Sequence, residues 1–214
     1  MSFNPAEIFF QMVAFLFAIS LHEAAHAWTA DRCGDPTAKM LGRITLNPLR
    51  HIDPIGSLVL PIIGLISHIG FIGWARPTPV EPRNFRRPVR DDILVTLAGP
   101  ASNLFLVIVF GFLLKGLVIF ARTHQIPESM EPLLYLSEAV VFINILLFVF
   151  NLLPIPPLDG SHVVRHFLSP DAQRVYDRVG TYGLMLFFIA SWYFNILGVL
   201  IHPLNVAFQR IFLT

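Results

Sequence analysis

The sequence has little charge and almost no cysteine. Only 14% of its 214 residues are Asp, Glu, Lys or Arg, against about 25% in an average soluble domain. The formal net charge of +1 excludes the strongly basic balance that nucleic-acid-binding domains show. The single cysteine, Cys33, excludes an intrachain disulfide, and the first residues carry no basic cluster, so a cleaved signal peptide is not expected.

Apolar residues, in contrast, are abundant. They make up 55% of the chain, and the mean hydropathy is +0.65. A soluble domain of this length cannot hide so much apolar surface, so the composition indicates a membrane protein. Because no repeat, low-complexity run or long polar linker interrupts the chain, we expect one domain over residues 1–214.

Four stretches are apolar enough to cross a bilayer, which takes about 20 residues. In chain order they are residues 8–30, 93–121, 133–153 and 182–201. A fifth apolar stretch, residues 55–75, is interrupted by four glycines and a proline and is a poor continuous helix. Such backbone is tolerated at membrane depth only where protein or water covers it.

The basic residues predict the orientation. Nine of the 15 Lys and Arg residues lie between Arg32 and Arg90, and three more follow the third span. By the positive-inside rule these segments face the cytoplasm. A complete crossing by residues 55–75 would place the basic cluster at residues 83–90 outside, so we interpret that stretch as re-entrant.

Two short segments have the character of strands. Residues 41–46 loosely alternate polar and apolar side chains, and residues 74–85 are rich in proline and β-formers, as edge strands are. The predicted fold is therefore an all-α polytopic membrane protein with about four transmembrane helices, a re-entrant segment and a small β element at the membrane edge.

The main chemical signal is a pentad inside the first span, His22-Glu23-Ala24-Ala25-His26. On a helix, residues i and i+4 share a face, so both imidazoles can reach one metal ion. Glu23 would then lie beside the ion as a general base. The alternative is an accidental polar patch, but each ionisable group within a span costs at least about 2.5–3.5 kcal/mol.

A catalytic zinc ion takes three protein ligands as a rule, so a third must come from elsewhere. The third predicted span ends at the same side of the membrane, and Asp159 follows it closely after three prolines. Asp159 is therefore the candidate. The alternative is that it only caps a short helix over residues 160–167.

These motifs resemble those of the site-2 proteases, which are intramembrane zinc metalloproteases. The pentad matches their H-E-x-x-H, and residues 151–160 match a second motif whose L-D-G aspartate is a zinc ligand. Residues 99–103 match a third motif, G-P-x-x-N, and the similarity runs from about residue 21 to 160. The resemblance implies one zinc ion per chain bound by His22, His26 and Asp159, with Glu23 as catalytic base. The chain looks like a small bacterial-type member without a PDZ or CBS domain.

The sequence leaves alternatives open for two asparagines and three histidines. Asn103 and Asn151 either form hydrogen bonds between helices or, as the resemblance implies, hold substrate in the pocket. His51, His68 and His162 are unassigned, because such histidines are more often structural than ligands.

The expected activity is hydrolysis of peptide bonds in or near the transmembrane segments of membrane-protein substrates. The protein would be a multi-pass cell-membrane protein with its active site toward the cytoplasm, in contact with the lipid bilayer and not with nucleic acid. Its oligomeric state is not predicted. The alternative is a transporter or a channel that handles metal ions or protons through its intramembrane His, Glu and Asp cluster.

Overall fold

A computed structural model describes residues 5–67, 73–124 and 127–213. Within these residues the chain forms eight α-helices. They are α1 (Pro5–Cys33), α2 (Thr37–Met40), α3 (Leu60–Ile66), α4 (Pro88–Thr123), α5 (Glu131–Asn151), α6 (Asp159–Arg165), α7 (Pro170–Phe194) and α8 (Ile196–Phe208). Short π-helical turns, Pro54–Val59 and Gln209–Leu213, adjoin α3 and α8.

Four helical segments in the described part of the chain are long and apolar enough to cross a membrane. They are Pro5–Cys33, Pro88–Arg122, Glu128–Asn151 and Ile196–Leu213. The first three contain the first three predicted spans, apart from the last two residues of the third. Pro100 lies inside α4 without ending it, as is common where neighbouring helices satisfy the freed backbone groups.

The fourth predicted span, residues 182–201, is wrong in its boundaries. The chain breaks at Asn195, which adopts the left-handed conformation with φ 51° and separates α7 from α8. Asparagine tolerates this conformation better than most residues. The candidate span begins at Ile196 and continues through Pro203, where the sequence had suggested an end.

The centre of the molecule is a bundle of α1, α4 and α5. A first apolar cluster joins all three helices through Phe15 of α1, Leu106 of α4 and Ile143 of α5. Ala14 and Ala18 let the helices approach closely, which is how helices pack in membranes. A second cluster packs Phe208 of α8 and the following Phe212 against α4 and α5.

The predicted β element is wrong, because no strand forms within residues 5–67, 73–124 and 127–213. Residues 41–46 form turns and bends, and residues 74–81 are extended without a partner strand. Prolines 77 and 79 have no N–H to donate to a ladder. The N–H groups of Trp74 and Arg76 instead donate to the carbonyls of Gly56 (3.0 Å) and His51 (2.8 Å).

The predicted re-entrant stretch is described only in part, since residues 68–72, with His68, lie outside the described residues. Its two described ends meet, because Ser57 Oγ donates to the Trp74 carbonyl at 2.7 Å. Asp53 caps its first turn by accepting from the N–H groups of Ile55 and Gly56.

Asp35 fastens the extended segment to the end of α1. Its buried carboxylate accepts from Asn84 Nδ2 (2.8 Å), the Glu81 N–H (2.8 Å) and Thr37. Burial opposes ionisation, but these hydrogen bonds hold the pKa of Asp35 below its usual value. The segment of residues 74–85 is thereby held beside α1, close to Glu23.

Candidate metal centre

One turn of α1 carries His22, Glu23 and His26, and all three side chains are buried. The i, i+4 spacing places the two imidazoles on the same face of the helix. Their Nε2 atoms lie 3.0 Å apart. Two nitrogen ligands thus point at one place inside the bundle.

Asp159 reaches the same place from the first residue of α6. Its Oδ2 atom lies 3.2 Å from His22 Nε2 and 3.4 Å from His26 Nε2. These separations suit three ligands arranged around one tetrahedral ion, which require about 3–4 Å. The carboxylate does not cap α6, since the N-cap residue is Leu158 and no side chain caps the helix. The capping alternative therefore does not describe this aspartate.

A chain of hydrogen bonds fixes the protonation of His22. The Val140 carbonyl can only accept, so Asn144 donates its Nδ2 to it at 2.8 Å and turns its Oδ1 toward Asn103. Asn103 then donates Nδ2 to Asn144 at 2.8 Å and presents its own Oδ1 to His22 Nδ1 at 2.7 Å. His22 Nδ1 therefore carries a proton, and neutral His22 has a free electron pair on Nε2.

His26 is held in the same tautomer. Its Nδ1 lies 2.7 Å from the Val95 carbonyl, which can only accept. Both histidines thus donate from Nδ1 to fixed acceptors, the arrangement that orients metal-binding imidazoles in proteins. The Nε2 atoms remain for a ligand.

The donor set fits a divalent cation. Two imidazole electron pairs and a carboxylate oxygen meet in a buried place, and Asp159 Oδ2 has no hydrogen-bond partner. Three acceptors at this distance repel each other unless a cation lies between them. Within the described residues this is the one group of three such side chains close enough to bind an ion.

Gly99 of α4 leaves the space that an ion needs. A Cβ atom at this position would lie 2.3 Å from His26 Nε2 and 2.6 Å from His22 Nε2. Any side chain here would therefore fill the place on which the three ligand atoms converge.

A hydrogen bond outside the centre holds the end of α6 against α4. Nε2 of His166, the residue that follows α6, lies 2.7 Å from Asp92 Oδ2 of α4, and His162 Nδ1 lies 3.9 Å from the same oxygen. His162 is half exposed and is not among the converging side chains. The contact fixes the short helix that carries Asp159.

Glu23 is held by the extended segment. Its Oε2 accepts the Thr78 N–H at 2.7 Å, and the Thr78 hydroxyl donates to the Glu23 carbonyl at 3.0 Å. The carboxylate is 9% exposed. A buried carboxylate next to a metal-binding histidine can serve as a general base.

The remaining predicted residues lie elsewhere or serve the fold. Asn151 donates to the Leu147 carbonyl of its own helix at 3.0 Å. His51 is fully buried and bonds to the Thr45 carbonyl at 2.9 Å through Nε2. Asn103 forms the hydrogen bond between helices that was one of its two alternatives.

Sequence reasoning missed three contributors. Asn144 had a signal, since an amide in the middle of an apolar span marks a functional position. Val95 contacts His26, and Thr78 contacts the Glu23 carboxylate, through backbone atoms, so neither contact had a signal in the residue type.

The chain is similar to a peptidase family and to proteins that are named as zinc metalloproteases. The model of peptidase family M50 matches residues 115–192, which include Asp159. A protein of Bacillus subtilis (strain 168) named "Putative zinc metalloprotease YwhC" is 35% identical over 178 residues, covering 83% of this chain and 78% of its own.

Two mycobacterial proteins named Rip2 carry the same description. The protein of Mycolicibacterium smegmatis (strain ATCC 700084 / mc(2)155) is 32% identical and covers 90% of this chain and 76% of its own. The protein of Mycobacterium tuberculosis (strain ATCC 35801 / TMC 107 / Erdman) is 31% identical and covers 89% of this chain and 73% of its own. No solved structure matches the chain. The long apolar helices, the histidine–carboxylate cluster and these relatives together show that the chain is a multi-pass zinc metalloprotease of peptidase family M50.

Proposed function

We propose that this protease hydrolyses peptide bonds of membrane proteins inside the bilayer, in or near their transmembrane segments. His22, His26 and Asp159 would hold the zinc ion, and Glu23 would be the catalytic base. The observation that carries the proposal is the convergence of three electron-pair donors in the spanning bundle, with Asp159 Oδ2 buried within 3.4 Å of both Nε2 atoms.

The depth of the cluster supports cleavage within the membrane. His22 and His26 lie 11 and 7 residues before the end of α1 at Cys33. At about 1.5 Å per residue, the imidazoles are roughly 10–16 Å from the helix end. A peptide bond hydrolysed there is below the level of the lipid headgroups in a bilayer with a hydrocarbon core of about 30 Å.

The residues of the chain divide the chemistry among them. Zinc at this site would supply Lewis acidity, lowering the pKa of water toward about 7 and polarising the scissile carbonyl. Glu23 accepts the proton of the attacking water and returns it to the nitrogen of the leaving amine. The Thr78 N–H holds one carboxylate oxygen of Glu23, which fixes the direction of the other.

The three buried amide and carbonyl partners keep the imidazoles in place. Asn103 and Asn144 hold His22, and the Val95 carbonyl holds His26. Because both Nδ1 atoms donate, the neutral form of each imidazole has its free electron pair on Nε2, where a metal ion can bind. The chain thus prepares the centre before substrate arrives.

The orientation follows from the basic residues and the fold. α1 ends, α4 begins and α5 ends near one another, and the arginines between Arg32 and Arg90 belong to this side. We place this side in the cytoplasm by the positive-inside rule. The stretch of residues 55–75 then enters and leaves on the same side, which the Ser57–Trp74 hydrogen bond supports.

A transporter or channel is not favoured. The relatives are named as metalloproteases, and an intramembrane His, Glu and Asp cluster alone does not distinguish the two classes. Glu23 next to His22 supports the protease, because peptide hydrolysis at a metal ion uses a carboxylate as general base.

The test is reconstitution of the full chain in proteoliposomes with a single-span peptide whose middle contains a helix-breaking Gly-Pro pair. We expect mass spectrometry to find zinc-dependent products cut within the span. The variant Glu23→Gln should yield no such products. Its matched control is Glu7→Gln, which changes an exposed carboxylate on the same helix, α1, and should cleave normally. Products cut only in the soluble flanks would contradict cleavage inside the bilayer.

Cysteine labelling tests the orientation. With Cys33→Ser as background, the variants Arg50→Cys and Arg83→Cys should both resist an impermeant reagent applied to intact cells. Glu128→Cys, in the loop on the other side, should be labelled. Labelling of only one arginine position would mean that residues 55–75 cross the membrane completely.

A further inference from the structure

A cavity separate from the candidate metal centre lies at the end of the spanning bundle, between the last turn of α1 and the first turns of α4. Its volume is about 470 Å³. The lining residues that concern us are Arg32, Arg86, Arg87, Arg90, Asp91 and Leu94. Neither the proposed catalytic residues nor the His166–Asp92 hydrogen bond lines the cavity.

Four guanidinium groups meet at this cavity against one carboxylate. That carboxylate, Asp91, is buried, and its Oδ2 accepts the Arg87 N–H at 2.8 Å. Among the described residues, none of the four arginines forms an ion pair with a carboxylate, whereas Arg165 and Arg174 each do. Like charges brought together without a counter-charge are unfavourable, so the cavity is suited to an anion.

The surroundings of the cavity are those of a membrane interface. The helices that form it, α1 and α4, are both candidate spans, and the cavity is where one ends and the other begins. Arg32 lies over the ring of Trp28 at 4.9 Å, and tryptophan is enriched at the level of the headgroups. Leu94, deeper along α4, is 43% exposed and can contact an acyl chain.

We propose that this cavity binds a phosphate-bearing anion, supplied by the headgroup of an anionic phospholipid or by soluble phosphate. Guanidinium groups bind phosphate oxygens in pairs of parallel hydrogen bonds. Basic pockets between spanning helices on the cytoplasmic side bind lipid headgroups in this way. The aromatic and apolar neighbours favour the lipid, and a net charge of three favours cardiolipin with its two phosphates over lipids with one.

The proposed anion site does not depend on the proposed reaction, so the experiment measures lipid binding and not peptide cleavage. We would add cardiolipin, phosphatidylglycerol or phosphatidylcholine to the purified full chain in detergent and record retained lipids by native mass spectrometry. We expect cardiolipin to bind tightest and phosphatidylcholine not to be retained. A separate arm titrates inorganic phosphate. If inorganic phosphate at millimolar concentration displaces cardiolipin, and if phosphate without lipid raises the melting temperature of the protein, soluble phosphate is the ligand.

The decisive variant is Arg86→Gln/Arg90→Gln. At about 1 kcal/mol, or a factor of about five, for each basic side chain, cardiolipin affinity should fall about 30-fold. The matched control, Arg83→Gln/Arg174→Gln, removes two exposed arginines outside the cavity and should bind as the unmodified protein does.

A second variant protects the test against misfolding. Arg87→Gln changes one exposed side chain, and its circular dichroism and melting temperature without lipid should be unchanged while cardiolipin affinity falls about fivefold. Equal losses in the cavity and control variants, or binding of an acidic peptide that neither phosphate nor lipid displaces, would overturn the proposal.

Discussion

The two halves of α1 pack against the same two helices with different chemistry. The first half contributes Ala14, Phe15 and Ala18 to an apolar cluster with α4 and α5. The second half contributes His22, which continues into the amide chain of Asn103 on α4 and Asn144 on α5. One set of three helices is thus joined by side-chain packing at one level and by hydrogen bonds at the next.

The difference separates stability from chemistry. Polar contacts between spanning helices contribute about 0.6–2 kcal/mol each, so the amide chain adds little that packing could not supply. Its effect is to set the tautomer of His22, which packing cannot do. The apolar half therefore holds the helices together, and in the proposed mechanism the polar half orients the metal-binding imidazoles. Each of the following variants changes either the polar or the apolar level of the bundle, and its effect on cleavage, metal binding or stability is measured.

The largest effect on activity is expected for Glu23→Gln. The amide keeps the shape of the carboxylate but cannot accept the proton of water, so the cleavage rate should fall about 10²–10⁴-fold. Zinc content and melting temperature should stay as they are, because Glu23 is not among the converging ligand atoms. Normal cleavage by this variant would remove Glu23 from the mechanism.

Gly99→Ala should have the next largest effect, this time on the metal. The added Cβ would lie 2.3 Å from His26 Nε2, so the imidazoles must move apart. Zinc affinity should fall by more than the 10–100-fold that loss of a supporting hydrogen bond costs. Gly116→Ala, on the same helix with no atom within 4 Å of the new Cβ, is the control. Metal titration in which both variants bind alike would show that the space beside Gly99 is not the zinc site.

Asn103→Leu should loosen His22 without disturbing the bundle. Loss of the acceptor for His22 Nδ1 should weaken zinc binding about 10–100-fold. Asn151→Leu is the matched control, because that amide bonds only to a carbonyl of its own helix among the described contacts. If competition with a zinc chelator finds the two variants equal, the amide chain does not set the metal affinity.

Phe15→Ala should show the smallest effect on zinc and a clear effect on stability. Phe15 is fully buried in the apolar cluster. Truncation of a buried phenylalanine to alanine removes its packing contacts and leaves a cavity, which destabilises by about 3–5 kcal/mol. Thermal unfolding in detergent should record this loss while the folded fraction binds zinc normally. A selective loss of zinc with unchanged stability would contradict the division between the two halves.

Sequence reasoning succeeded where the signal is local and failed where tertiary contacts decide. The first three spans followed from long apolar runs, and the meeting of His22 and His26 followed from their i, i+4 spacing. The fourth span was wrong because Asn195 turns left-handed, a choice that hydropathy does not record. The β element was wrong because the prolines at 77 and 79 have no N–H groups for hydrogen bonds to a second strand. The N–H groups of Trp74 and Arg76 donate instead to carbonyls outside the segment.

The placement of Asp159 beside the histidines was predictable only in part from the sequence. Its side of the membrane followed from the orientation of the spans, and its role from the resemblance to the site-2 proteases. The contacts that direct it, such as His166 on Asp92, join residues 74 positions apart and had no signal in the sequence. The backbone groups of Val95 and Thr78 were equally invisible, because any residue could supply them.

The most direct test of the account is zinc X-ray absorption spectroscopy on the purified full chain, with metal content measured on the same sample. The account predicts one zinc ion per chain with two imidazole ligands at about 2.0–2.1 Å and a carboxylate oxygen at about 2.0–2.2 Å. Asp159→Asn should lower the zinc content, and His22→Ala should abolish it. A sulfur ligand at about 2.3 Å, or full zinc content in His22→Ala, would contradict the account.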